Sequence, residues 1–81
     1  MMSNRKLSTF KGYPYPLGAT PDEDGVNFSI YSQKATSVIL CLFNRFGKEI
    51  RRIVIKNKTG DIWHVYVKGL KEGQASRIGL K

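Results

Sequence analysis

Four apolar runs lie between Val26 and Val67, and three of them place an apolar residue at every second position. In "VNFSIYS", Val26, Phe28 and Ile30 share one face, while Asn27, Ser29 and Tyr31 share the other. "EIRRIVIK" sets Arg51, Ile53 and Ile55 against Ile50, Arg52, Val54 and Lys56. "IWHVYV" sets Trp63, Val65 and Val67 against Ile62, His64 and Tyr66. Side chains alternate across a strand, so a period of two marks a half-buried strand and not a helix. The fourth run, "SVILCLF", is apolar on both faces, which predicts a strand covered on both sides. β-branched and aromatic residues fill all four runs, as strands prefer.

Turn signals separate the runs. "NRFGK" turns through Gly47 and "NKTGD" through Gly60, and "QKAT" is a short link. Short strands at near-regular spacing predict an all-β, immunoglobulin-like sandwich. Four strands barely supply two sheets, so the pattern describes part of a sandwich and not all of one. Residues 1–12 read as a flexible lead-in. Residues 13–24 read as a loop, in which Pro14 and Pro16 bias Tyr13 and Tyr15 toward extended backbone. "PDEDG" is a turn signal that gathers three of the six acidic residues. Exposed ion pairs with Lys34 or Arg45 are open to these acids, and such pairs contribute under about 1 kcal/mol. Residues 13–74 hold the module, and 75–81, "ASRIGLK", read as a divergent tail with little strand character.

Composition narrows the chemistry. An 81-residue chain is one small domain that hides only about 60% of its unfolded surface. Cys41 has no partner, so no intrachain disulfide supports the core, and the thiol reads as a small apolar core group. That usage suits a reducing cytoplasm. "MMSNRKLSTFKG" lacks the apolar stretch of a secretion signal, and no run nears the length of a membrane span. The net charge of +8 permits a polyanion partner without requiring one. Lys48, Arg52, Lys56 and Lys58 fall at even spacing, as if along one strand face, but Ile50 and Val54 interleave them where stacking aromatics would be expected. Nucleic-acid binding is therefore the lesser alternative.

No catalytic constellation emerges. Glycoside hydrolysis needs two carboxyls about 5 to 10 Å apart across a cleft. Asp22, Glu23, Asp24, Glu49, Asp61 and Glu72 all fall in turns or at strand ends. One His and one Cys make no zinc site, no pattern calls for a cofactor, and His64 reads as a partly buried strand residue. Aromatic rings are the surfaces on which neutral sugars stack, and Trp63, Tyr66, Tyr31, Tyr13 and Tyr15 are the available platforms. Trp63 and Tyr66 fall on opposite faces of one strand, so at most one of them faces the core.

In order, "YPLGATPDEDGVNFSIYSQKATSVILCLFN", "GKEI" and "TGDIWHVYVKGL" resemble the start of glycogen debranching enzymes and isoamylases of the α-amylase superfamily. The resemblance covers roughly residues 13–74 and points to the family's N-terminal carbohydrate-binding module, of the type numbered 48. Pro16, Leu17 and Gly18 look like the family's lead-in loop, and Gly25, Asn27 and Phe28 like its first strand. Trp63 and His64 look like its structural Trp-His strand. The resemblance implies a cytoplasmic module that supports an α-1,6-glucan hydrolase; joined to the aromatic platforms of this chain, Trp63, Tyr66 and Tyr31, it gives the expectation of a weak affinity for α-glucan. It also implies a barrel carrying the catalytic acids, joined through a Tyr-Gly-Tyr-Arg type strand. Here "ASRIGLK" follows Gly73-Gln74 instead, which reads as truncation and implies that the sandwich is incomplete at its C-terminal end. The chain alone is then expected to hydrolyse nothing and to self-associate through an exposed strand edge, or to be a structural remnant.

Overall fold

The computed structural model describes residues 7–44 and 46–70, and the backbone alone of residues 75–80. Its elements are β1 (Ser8–Phe10), β2 (Gly18–Pro21), β3 (Gly25–Tyr31), β4 (Val38–Phe43), β5 (Glu49–Ile55), β6 (Asn57–Thr59), β7 (Ile62–Lys68) and β8 (Ala75–Leu80). Every described element is a strand, and every pairing is antiparallel. In the first sheet β7 pairs β3 along one edge, and β2 lies outside β3. β1 and β6 share the other edge of β7 end to end, against Tyr66–Lys68 and Ile62–His64 respectively. The second sheet has the order β5-β4-β8. The chain passes from the second sheet to the first at Lys56, between β5 and β6.

The alternating faces meet as the sequence requires. Phe28, Trp63, Val65 and Val67 from the first sheet pack with Val38, Leu40, Leu42 and Ile55 from the second. Val26, Ile30 and Ile53 border this core, and Leu70 closes it beyond β7. The Trp63 indole N–H donates to the Ser32 carbonyl at 3.2 Å, so the one polar atom of that ring is satisfied at the core margin. Gly25 is buried where β3 meets β7. A Cβ there would lie 2.2 Å from the Val67 carbonyl oxygen, so only glycine permits this approach. The two sheets form the all-β, immunoglobulin-like sandwich that the alternation predicts.

Two turns are tied by the side chain of their first residue. Asn44 Oδ1 accepts from the amides of Phe46 and Lys48 at 2.8 and 3.0 Å. Asp22 Oδ1 accepts from the amides of Asp24 and Gly25, both at 2.8 Å. Asx side chains do this because their oxygen stands in for a backbone carbonyl and here reaches amides two to four residues on. The acidic loop therefore owes its shape to Asp22 acting on its own backbone. Arg45, offered above as an ion-pair partner, lies outside the described residues.

Several expectations need correction. "ASRIGLK" is not merely a tail, because Ala75–Leu80 forms β8 and pairs along the whole of β4, from Val38↔Leu80 to Phe43↔Ala75. The lead-in contains β1, the proline-rich loop ends in β2, and the turn after β5 contains β6. These strands are short or polar and add to edges that longer strands provide. β4 is covered on one side only by described residues. Val38, Leu40 and Leu42 are fully buried, while Ile39, Cys41 and Phe43 are half-buried. The cation row is also broken. A register shift at Leu42/Phe43 leaves Ile50 as the extra residue of β5, Arg52 is paired with Glu49, and Lys58 stands in the other sheet over Trp63.

Ile55 is 1% exposed and its neighbour Val54 53%. Ile55→Val should cost about 1 kcal/mol and lower the melting temperature by roughly 5 °C, while Val54→Ala stays within about 0.5 kcal/mol. Thermal melts of the two variants check this, and the opposite ranking would place the core on the wrong face of β5.

Candidate functional site

The outer face of the first sheet should be polar and wet, since only its inner face meets the core. Asn27, Ser29 and His64 lie on it, yet they are 3%, 2% and 1% exposed. The segment between β1 and β2 covers them. It leaves β1 at one edge of the sheet, crosses the outer face, and returns at β2 on the other edge.

Each buried side chain holds this strap by its backbone. Asn27 is bidentate to Tyr13: its Oδ1 accepts from the Tyr13 amide at 2.9 Å, and its Nδ2 donates to the Tyr13 carbonyl at 3.0 Å. Ser29 Oγ donates to the Pro14 carbonyl. His64 Nδ1 lies 2.7 Å from the Lys11 carbonyl, and its Nε2 lies 2.7 Å from Thr59 Oγ1. A carbonyl only accepts, so Nδ1 carries the proton, and in the neutral ring Nε2 accepts from the threonine hydroxyl. No buried side-chain nitrogen or oxygen among the described residues is left without a partner. A buried polar group costs stability unless it is paired, so these three residues can lie buried under the strap because they pair with its backbone.

Gly12 makes the crossing close. Its φ is +74°, and a Cβ would fall 2.5 Å from Asn27 Oδ1 and 2.8 Å from the Tyr66 amide nitrogen. Beyond it the strap presents its side chains to solvent. Tyr13 is 62% exposed, Tyr15 66% and Leu17 52%. Tyr31, which shares a face with Asn27 and Ser29, is also exposed at the end of β3.

Asp22 anchors one corner of the face. Besides tying its own turn, its Oδ1 accepts from the Tyr66 hydroxyl at 2.7 Å. The Tyr66 hydroxyl and the Asp24 and Gly25 amides hold the Asp22 carboxyl below its ordinary 3.8. Removal from water, and then the Asp22 carboxylate, push the Tyr66 hydroxyl up to about 12. The Tyr66 ring leans on Phe10 of β1, with centroids 6.3 Å apart. Nothing in the sequence marked Asp22 off from Glu23 and Asp24. The contact spans 44 residues and depends on the β2–β3 turn reaching the outer face of β7.

The residues expected at a site thus fall into separate places. Trp63 is 8% exposed, with its ring in the core and Lys58 Nζ 4.9 Å from its centroid. Tyr66 and Tyr31 are both on the outer face but apart along the β3–β7 pairing, Tyr66 opposite Asn27 and Tyr31 in the last pair opposite Ile62. Pro16, Leu17 and Gly18 carry the strap back to β2, and the Tyr15–Pro16 peptide is cis. Phe28 is core, and Asn27 and His64 are strap holders. The described carboxylates occupy the β2–β3 turn, the start of β5 and the β6–β7 turn, and Glu72 lies outside the described residues. No group of three or more potential metal ligands occurs among the described residues, and no described helix is long and apolar enough to cross a membrane.

The architecture is that of a small immunoglobulin-like module whose outer face is closed by its own leader. Residues 16–81 match the family profile described as carbohydrate-binding module 48, the isoamylase N-terminal domain. The chain belongs to that family. It is also 49% identical over 63 residues to proteins named glycogen debranching enzyme from Serratia proteamaculans, Yersinia pseudotuberculosis and Yersinia pestis. Each match covers 78% of this chain and 9% of the relative.

Replacing Asn27 by Ala would strand the Tyr13 amide and carbonyl. We expect a loss of about 2 kcal/mol and a collapse of hydrogen-exchange protection at the Tyr13 amide. Unchanged protection would mean that the strap is held by something else. The Asp22–Tyr66 bond also sets a pH response. The folded Asp22 carboxyl titrates below its unfolded value, so its contribution is present above pH 3.8 and is lost as pH falls through the lower, folded value. Tyr66 titrates above its unfolded value, so its contribution is present below pH 10.0 and is lost as pH rises toward about 12. Tyr66→Phe should remove the Tyr66 contribution to the alkaline limb of the urea midpoint plotted against pH and weaken the acid limb, where the Asp24 and Gly25 amides still act on Asp22; superimposable profiles would contradict the bond.

Proposed function

We propose that this chain is the N-terminal glucan-binding and supporting module of a glycogen-debranching, isoamylase-type hydrolase, and that it cleaves nothing by itself. The family match over residues 16–81 carries this reading. Relatives named for glycogen debranching supply the substrate class, a branched α-glucan. The carboxylates support the non-catalytic role: Asp22 is engaged with its own turn and Tyr66, and Glu49 with Arg52. A cytoplasmic setting suits the lone Cys41 and a glycogen substrate. The catalytic barrel of such an enzyme is the natural protein partner of the module, and the edge strands of both sheets are routes to self-association.

The charge does not favour a polyanion. The described cations are dispersed over links, turns and strands of both sheets, and two of them are engaged, Arg52 with Glu49 and Lys58 with Trp63.

The purified 81-residue chain should migrate more slowly in a native gel cast with glycogen than in one without, and should release no linear chains from glycogen. Equal mobility in the two gels would remove the binding role, and release of linear chains would remove the non-catalytic one.

A further inference from the structure

We propose that the module meets α-glucan on its strap, through Tyr13 and Tyr15 with Tyr31 beside them, and not through Trp63. The proposal rests on the glucan-binding reading above and assigns that reading a place.

A ring must be exposed to stack on a sugar face. Trp63 is 8% exposed and its indole N–H is given to Ser32, whereas Tyr13, Tyr15 and Tyr31 are 62%, 66% and 57% exposed. Exposure alone is ordinary, but these rings stand on backbone that is already fixed. Tyr13 is held on both its amide and its carbonyl by Asn27, and Pro14 by Ser29. Pro14 and Pro16 restrict the backbone around Tyr15. A ligand docking here would order little loop, which is where much of the cost of binding otherwise lies. Tyr31 is two residues from Ser29 on the same strand face, about 7 Å along β3, so it borders the place where Pro14 is seated.

The charge pattern fits a neutral ligand. The chain carries +8 overall, yet the stretch from Gly12 to Thr20 contains no Lys, Arg, Asp, Glu or His. Phenol hydroxyls can serve sugar hydroxyls, and tyrosine supplies rigid amphipathic area at low entropic cost. A polyanion would find no cation on this strip.

The test uses the whole chain, with maltoheptaose and glycogen as probes. On titration with maltoheptaose, the ring resonances of Tyr13, Tyr15 and Tyr31 should shift and those of Phe46, 83% exposed on the β4–β5 turn, should not. Tyr13→Ala and Tyr15→Ala should each weaken binding several-fold, and the double variant about tenfold, with a melting temperature near that of the parent. Tyr15→Phe, which keeps the ring, should bind nearly as the parent does, and Phe46→Ala should be indistinguishable from it. If the parent is retarded by glycogen while the strap resonances stay fixed and the alanine variants bind normally, the strap site is wrong and the glucan-binding reading stands. If the parent shows neither retardation nor shifts, both fall together, and the exposed strap is left as a surface for protein.

Discussion

The structure depends on the pairing of backbone groups in the β1–β2 strap by three side chains of the sheet beneath it. A segment laid over a sheet brings amides and carbonyls that can no longer reach water, and each must find a partner. Asn27, Ser29 and His64 supply those partners. The strap buries them and pairs them at once, and its own amide and carbonyls there would be unsatisfied without them. Each therefore accounts for the other, and the polar positions within otherwise apolar strands are explained by what covers them. The loop that resembles a family motif, Pro16 to Gly18, is in physical terms the return of that cover to β2.

The two sheets are treated differently. The first has the apolar core on one side and a hydrogen-bonded layer on the other. The second has the core on one side, with Ile39, Cys41 and Phe43 half-buried on the other beside exposed Ile50 and Val54. Glycine makes both close contacts of the first sheet possible. Gly25 allows β3 to meet the backbone at Val67, and Gly12 allows the strap to meet the backbone at Tyr66. Asp22 then joins the strand-linking turn to the same face through Tyr66. The tyrosines of the strap stand on a support whose polar groups are already engaged.

The parts of this fold that the sequence discloses are those in which burial writes a period. β3, β4, β5 and β7 are legible because one side of each supplies the core, through Phe28, Leu40, Ile55 and Val65 among others. β1, β2 and β6 leave no such trace, since three- or four-residue strands held by a neighbour's edge need no apolar side of their own. β8 hides for a related reason: Ile78 and Leu80 are two apolar positions in a run too short to display a period, and its pairing with β4 is a matter of register. The site is less legible than the fold. Period two places Trp63 and Tyr66 on opposite faces, but it cannot tell which face is covered. Only the long-range contacts of Lys11, Tyr13 and Pro14 show that the outer face is closed and that its exposed rings come from the loop. Asp22 is illegible for the same reason, because its partner lies 44 residues away.

The proton on His64 reports this arrangement most directly. Long-range proton–nitrogen correlation spectra of the uniformly labelled chain distinguish the two neutral tautomers of the ring. The strap requires the proton on Nδ1, given to the Lys11 carbonyl, with Nε2 accepting from Thr59 and the Nδ1 proton slow to exchange with water. A proton found on Nε2 of the neutral ring, or a rapidly exchanging one on Nδ1, would mean that the strap does not lie across the sheet and that the polar face beneath it is open.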